Sequence, residues 1–105
     1  MRITAPFLDV LEAFVVAAPR ELHGWAIIKA SRRGGPTVYK ILERLTQLGW
    51  VTARWEDADA PPNRPRRRYY TLTGAAETKA RSLLAERRSG ASRSLIRPVP
   101  GGEPG

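Results

Sequence analysis

The chain contains no cysteine and only one histidine, His23, among its 105 residues. The first absence excludes a disulfide framework and every thiolate metal site. With one histidine left, there is no ligand set for a zinc centre, and no His–nucleophile–acid constellation forms without that single residue. No glycine-rich phosphate loop follows a strand, which argues against nucleotide hydrolysis. No apolar run approaches the ~20 residues that a membrane span requires. The segment Met1 to Ala18 also lacks the basic flank and cleavable apolar run of a signal peptide. The expectation is a non-enzymatic cytoplasmic protein with no cofactor, no metal, no catalytic residue and no membrane partner.

Negative charge is also scarce. Ten acidic residues face 18 Lys and Arg, giving a net charge of +8. The excess is mostly arginine, whose planar fork suits phosphates and guanine edges, so the composition points to a polyanionic partner. A GC-rich genome would also enrich arginine, so placement along the chain has to decide. At this length one domain with a modest core is expected, and a second subunit would help to bury apolar surface.

Apolar residues at helical spacing run from Phe7 to Val16, with Pro6 in the first turn and Pro19 beyond the end. A second helical pattern starts at Leu22, with His23 as N-cap and Trp25, Ile27 and Ile28 as its buried side, and is broken by "SRRGG". Pro36 opens a third helix through "PTVYKILERLTQLG", where Val38, Ile41, Leu42, Leu45 and Leu48 form an unbroken apolar stripe. Gly49 is placed to end it in the left-handed conformation. "WVTARWE" then alternates as a strand, "DADAPPNRP" is a loop, and Arg66 to Leu72 alternates again. Thr73 caps a last helix that ends near Arg87 and Arg88. From Ser89 onward the Gly-, Pro- and Ser-rich composition predicts a disordered tail.

This order of helix, helix, helix, strand, basic loop, strand, helix is that of a winged helix-turn-helix, mainly α with a small two-stranded β-hairpin. The segments "ELHGWAIIKA", "GPTVYKILERLTQLGWV" and "RPRRRYYTLT" resemble the PadR family of bacterial transcriptional regulators over roughly Leu8 to Leu84. Members of that family show an L-H-G-aromatic segment, a G-T-[LV]-Y-x-x-L-x-R-L-x-x-x-G-[WL] recognition helix and an R-R-x-Y-x-L-T wing strand. The resemblance implies a DNA-binding domain over residues 1–72 and a dimerisation helix over 73–88, with a tail over 89–105. The single short helix after the wing places the chain in a compact branch of the family.

In such a fold the recognition helix enters the major groove with its N-terminal residues at the base edges. The residues for that task are Pro36, Thr37, Tyr39 and Lys40, with Arg44 one turn further. Alternative readings are core packing for Tyr39 and a solvated face for Lys40 and Arg44. The wing arginines Arg64, Arg66 and Arg67 suit phosphates or a narrow minor groove. Arg68 shares the inward face of Tyr70 and Leu72, and the rival reading of the whole run is a plain charged loop. Glu56, Asp57 and Asp59 either pair with these arginines and keep the wing folded or serve solubility alone.

Phe7, Leu11 and Phe14 on the first helix and Ala80, Leu83 and Leu84 on the last are the expected dimer contacts. They would set two recognition helices about 34 Å apart on an inverted repeat of double-stranded DNA. The resemblance also implies a pocket for a small aromatic effector, for which Trp25, Trp50 and Trp55 are candidates, with plain core packing as the alternative. The expected function is a homodimeric, operator-specific repressor. The rival is a winged-helix module for nucleoid architecture or protein assembly that lacks operator specificity.

Overall fold

The computed structural model describes residues 2–57, 59 and 62–96, the last six as helical backbone. The elements are α1 (Ala5–Ala17), β1 (Leu22–His23), α2 (Gly24–Ser31), α3 (Gly35–Gln47), β2 (Val51–Trp55), β3 (Arg68–Leu72) and α4 (Gly74–Ile96). Four helices and an antiparallel sheet of order β1-β3-β2 make a winged helix-turn-helix. The third strand, β1, adds two residues to the expected hairpin. Leu22 and His23 pair with Tyr70 and Tyr69, and this ties the start of α2 to the wing.

Local chemistry accounts for the boundaries. The Thr4 hydroxyl accepts the Phe7 N–H at 3.3 Å and caps α1, and Thr73 caps α4 in the same way through Ala76 at 3.2 Å. At the end of α3, Gly49 takes φ +76°. Its N–H donates to the Thr46 carbonyl and that of Trp50 to the Leu45 carbonyl, the hydrogen-bond pattern of a Schellman motif. α2 ends without such a glycine, on Arg32 at φ 61°. The helix-turn-helix corner is therefore Arg32, Arg33 and Gly34, with Gly34 as N-cap of α3.

The core gathers one face of every helix. Phe7, Val10, Leu11, Phe14, Ile27, Val38, Leu42, Leu45 and Ala80 are at most 1% exposed, and Val51 and Tyr70 close it from the sheet. Burying each large side chain is worth about 1.5–3 kcal/mol. The apolar stripe of α3 thus packs inward as its spacing predicts, except Leu48, which is exposed at the helix end.

Three expectations need correction. The last helix is not short and does not stop at Arg88: α4 runs 23 residues to Ile96, so Ser89 to Ile96 is helix rather than disordered tail. The expected tail over 97–105 lies outside the described residues. Trp25 does not join the buried side of α2, because it stands at the second helical position and is 61% exposed. Finally, Phe7, Leu11, Phe14, Ala80 and Leu84 are already covered within one chain, at 0–3% exposure. α1 and α4 pack on each other in the same subunit, and of the six expected dimer contacts only Leu83 is partly open.

An ion-pair hub holds α4 to this frame. Asp9 on α1 receives Arg33 Nε from the helix-turn-helix corner at 2.9 Å and Arg87 Nη1 from α4 at 2.9 Å. Arg87 also reaches Glu12 at 3.1 Å. Burial pushes the Asp9 carboxyl up, but the hydrogen bonds from Arg33 and Arg87 outweigh it and hold the group below its ordinary 3.8.

Candidate nucleic-acid interface

The recognition helix has Gly34 as N-cap, and among the described residues no side chain caps its first turn. Pro36, Thr37, Tyr39 and Lys40 are all exposed on it. Arg44 is not part of that free row. Its guanidinium lies 4.8 Å over the Phe7 ring and donates to the Arg2 carbonyl, so it clasps α3 to the start of α1.

Tyr39 owes its place to Gly24. A methyl group at that glycine would stand 2.3 Å from the Tyr39 hydroxyl oxygen and 2.8 Å from the adjoining ring carbon, closer than any real contact. Glycine at the first position of α2 therefore lets the ring lie across the start of that helix while remaining 52% exposed. Sequence reasoning missed this pairing. Its available signal was a glycine directly after a helix cap, where no turn requires one.

The wing sorts its arginines into two kinds. Arg64 donates through both Nη atoms to the Glu56 carboxylate, at 2.9 Å each. The same carboxylate accepts the backbone N–H of Arg67 at 3.0 Å, while the Glu56 N–H donates to the Arg67 carbonyl at 2.7 Å. Glu56 is thus the clasp of the wing, and the side-chain hydrogen bond from Arg64, followed by the N–H of Arg67, brings its pKa from 4.5 down to about 2. Pairing between the acidic start of the loop and the arginines was anticipated, and it is Glu56 that does so.

Arg68 is also engaged. It is half-buried, with its guanidinium 5.1 Å over the Trp55 ring and 6.0 Å from that of Tyr70. Cross-strand pairing of Trp55 with Arg68 and of Ala53 with Tyr70 puts these residues on one face. On the opposite face Arg54 covers Tyr69 at 4.9 Å and binds Glu21. What remains open is Arg66 and Arg67. Both are exposed, and among the described residues neither forms an ion pair; Arg66 has only a 3.4 Å contact to the Glu56 carbonyl.

His23 connects this surface to α2. Its Nδ1 accepts the Ala26 N–H at 3.3 Å as the helix cap, and its ring meets Tyr69 edge-on at 5.7 Å. Burial lowers its pKa below 6.5, and the charges of Arg67 and Arg64 push further the same way against Glu56. The neutral ring that capping requires is therefore the favoured one at pH 7.

Among the described residues the three tryptophans fall in two places. Trp25 and Trp55 line a groove of about 350 Å³ with Tyr39, His23 and Arg66 to Arg68. Trp50 lies apart, edge-on to Phe7 at 5.9 Å with Lys79 over its ring.

The exposed face of α3, the open wing arginines and the helix-turn-helix corner fit a known group of proteins. The family model for the transcriptional regulator PadR-like family matches residues 14–82. The chain belongs to the PadR-like family. As a PadR-like protein it is a DNA-binding transcriptional regulator. Its fold recurs in solved structures of low sequence identity. The Bordetella bronchiseptica BpsR structure, described as showing a mechanism for regulation of DNA binding by 6-hydroxynicotinic acid, superposes with TM-score 0.72 at 19% identity, covering 94% of this chain and 70% of that one. A PadR family transcription regulator from Clostridium difficile R20291 gives 0.66 at 19% identity, covering 86% and 97%. A PadR family transcriptional regulator from Eggerthella lenta gives 0.62 at 20%, covering 85% and 82%. No curated protein sequence is significantly similar to the chain. Among the described residues of this PadR-like regulator no helix is long and apolar enough to cross a membrane.

Proposed function

We propose that the protein is a homodimeric, operator-specific repressor. The observation that carries this reading is the joint exposure of Thr37, Tyr39 and Lys40 on α3 and Arg66 and Arg67 on the wing. Thr37 and Lys40 offer hydrogen-bond donors to base edges, and Thr37 a methyl group for thymine. Arg66 and Arg67 supply sequence-independent grip on phosphate or the minor groove. A small regulator of this kind represses most directly by occupying its operator.

The dimer in this proposal uses surface that one chain leaves uncovered. α4 continues nine residues past Arg87, the residue that pairs it with α1. A groove of about 560 Å³ between α1 and the end of α2 contains Ala13, Ala17, Leu22 and Ala30, with Val16 beside them at 77% exposure. A second copy that lays the far half of α4 on that groove would cover these apolar atoms and draw two recognition helices into a two-fold arrangement. An inverted repeat with half-sites about 34 Å apart would match it. Release by a small effector is supported by the fold shared with BpsR, whose DNA binding is regulated by 6-hydroxynicotinic acid.

The test is fluorescence anisotropy with DNA from upstream of the protein's own gene and with shuffled DNA, at two salt concentrations, alongside sedimentation. The expected result is a dimer that prefers the upstream DNA by on the order of 10³ at both salts. Equal binding that collapses with salt would overturn operator specificity in favour of an architectural module.

A further inference from the structure

Among the described residues the large aromatic side chains that stand more than half exposed are Trp25 (61%), Trp55 (55%) and Tyr39 (52%), and all three line the 350 Å³ groove between the start of α2, α3 and the wing. Single surface aromatics need no explanation. Three around one concavity do. Their seats are formed in the free protein: Arg68 stacks on Trp55, Lys29 lies 5.9 Å from the Trp25 ring centre, and Tyr39 rests on Gly24. The same groove carries Arg66 and Arg67, whose guanidiniums are not committed to carboxylates among the described residues.

An intact duplex presents base edges and phosphates to a protein, not base faces. Flat rings exposed to this degree therefore have no stacking partner on paired DNA, whereas an unpaired base offers two free faces for stacking and its edge for the third ring. Basic grooves with interleaved aromatics hold single strands by this combination of stacking and backbone charge. We infer that the groove binds one unpaired nucleotide, its base against Trp25, Tyr39 and Trp55 and its phosphate on Arg66 and Arg67. The inference rests on the reading of this face as the DNA-binding surface and adds a second mode to it, recognition of a melted or single-stranded position. The size is that of a single unit. A separate hollow of about 250 Å³ that shares Tyr39, Arg68 and Tyr70 carries the Glu43 carboxylate, with Arg68 as its cation, a poor place for a second phosphate.

The test uses the full chain and three DNAs of equal length: a duplex, its single strand, and an abasic strand with the same phosphates. Binding is followed by anisotropy and tryptophan quenching, with a free mononucleotide as a fourth ligand. The expected result is that the natural single strand binds about tenfold tighter than the abasic one, with quenching. That advantage is lost in Trp55→Ala and largely kept in Trp55→Phe; Trp55 is exposed, so both variants should fold. Quenching by the mononucleotide, in competition with the strand, would assign the site to free nucleotides. Base-dependent strand binding without it would assign the site to unpaired DNA. Equal binding of natural and abasic strands, with the duplex still bound, overturns the nucleotide site and leaves the DNA-binding reading standing. Failure of all three DNAs to bind overturns both.

Discussion

Arg64 and Arg66 stand two positions apart in one basic run, yet only one of them is free. The Glu56 carboxylate has two oxygens, and Arg64 takes both with a bidentate fork; the guanidiniums of Arg66 and Arg67 remain exposed. The double variant Arg66→Ala/Arg67→Ala is therefore expected to weaken binding to every DNA alike and to flatten the log–log salt dependence by about 0.9 per lost phosphate contact. Arg64→Ala should instead loosen the wing and change the slope little beyond that. Salt titrations of both proteins by anisotropy separate the two roles. At Gly24, the substitution Gly24→Ala drives a methyl group into the Tyr39 ring. The expected outcome is roughly tenfold weaker duplex binding, the worth of one specific contact, with the melting temperature nearly unchanged because Tyr39 is half exposed.

At the scale of elements, the wing and α2 each depend on a titrating group. Glu56 has its pKa lowered from 4.5 to about 2 in the folded protein. A lowered carboxylate pKa means that its contribution is complete above about pH 4.5 and is lost as the pH falls toward 2. Wing opening, followed by hydrogen exchange at the Arg67 amide or by Trp55 fluorescence, is expected inside that window, and Glu56→Gln should abolish the dependence. His23 has the same sign for a different reason. Its folded pKa lies below 6.5 through burial first and nearby arginine charge second, so the cap on α2 is intact above that pH and is lost as acid protonates Nδ1. An unchanged protection factor at the Ala26 amide between pH 7 and the acid side of that titration would count against this role for the ring.

For the whole molecule, Leu83 and Leu84 are neighbours with opposite fates. Leu84 is 3% exposed in the core of one chain, whereas Leu83 only borders it. Leu84→Glu is expected to unfold the domain, since a buried carboxylate without a partner is strongly destabilising. Leu83→Glu is expected to leave the domain folded, whereas Val16→Glu, in the groove proposed for the second copy, is expected to shift sedimentation from dimer toward monomer, with DNA affinity falling in parallel. A folded Val16→Glu protein that stays dimeric overturns that groove as the interface.

Much of this architecture was legible in the chain itself, because its signals are local. The 3.6-residue stripe of α3, the caps at His23 and Thr73, the left-handed Gly49 and the alternation around Val51 and Tyr70 each depend on residues within a turn or a strand of one another. The absence of cysteine and the arginine excess likewise need no coordinates. Contacts between distant segments were decided only by the tertiary structure. Spacing within α1 and α4 shows which face is apolar but not whether that face meets its own chain or a partner, and packing α1 on α4 in one subunit settled it for Phe7, Leu11, Phe14, Ala80 and Leu84. Composition after Ser89 suggested a tail, yet the helix carries on to Ile96. The seat of Tyr39 on Gly24 joins residues 15 positions apart, and the Asp9 hub joins positions 9, 33 and 87. Such pairs lie beyond any local periodicity, since proximity across a fold follows from how whole elements pack.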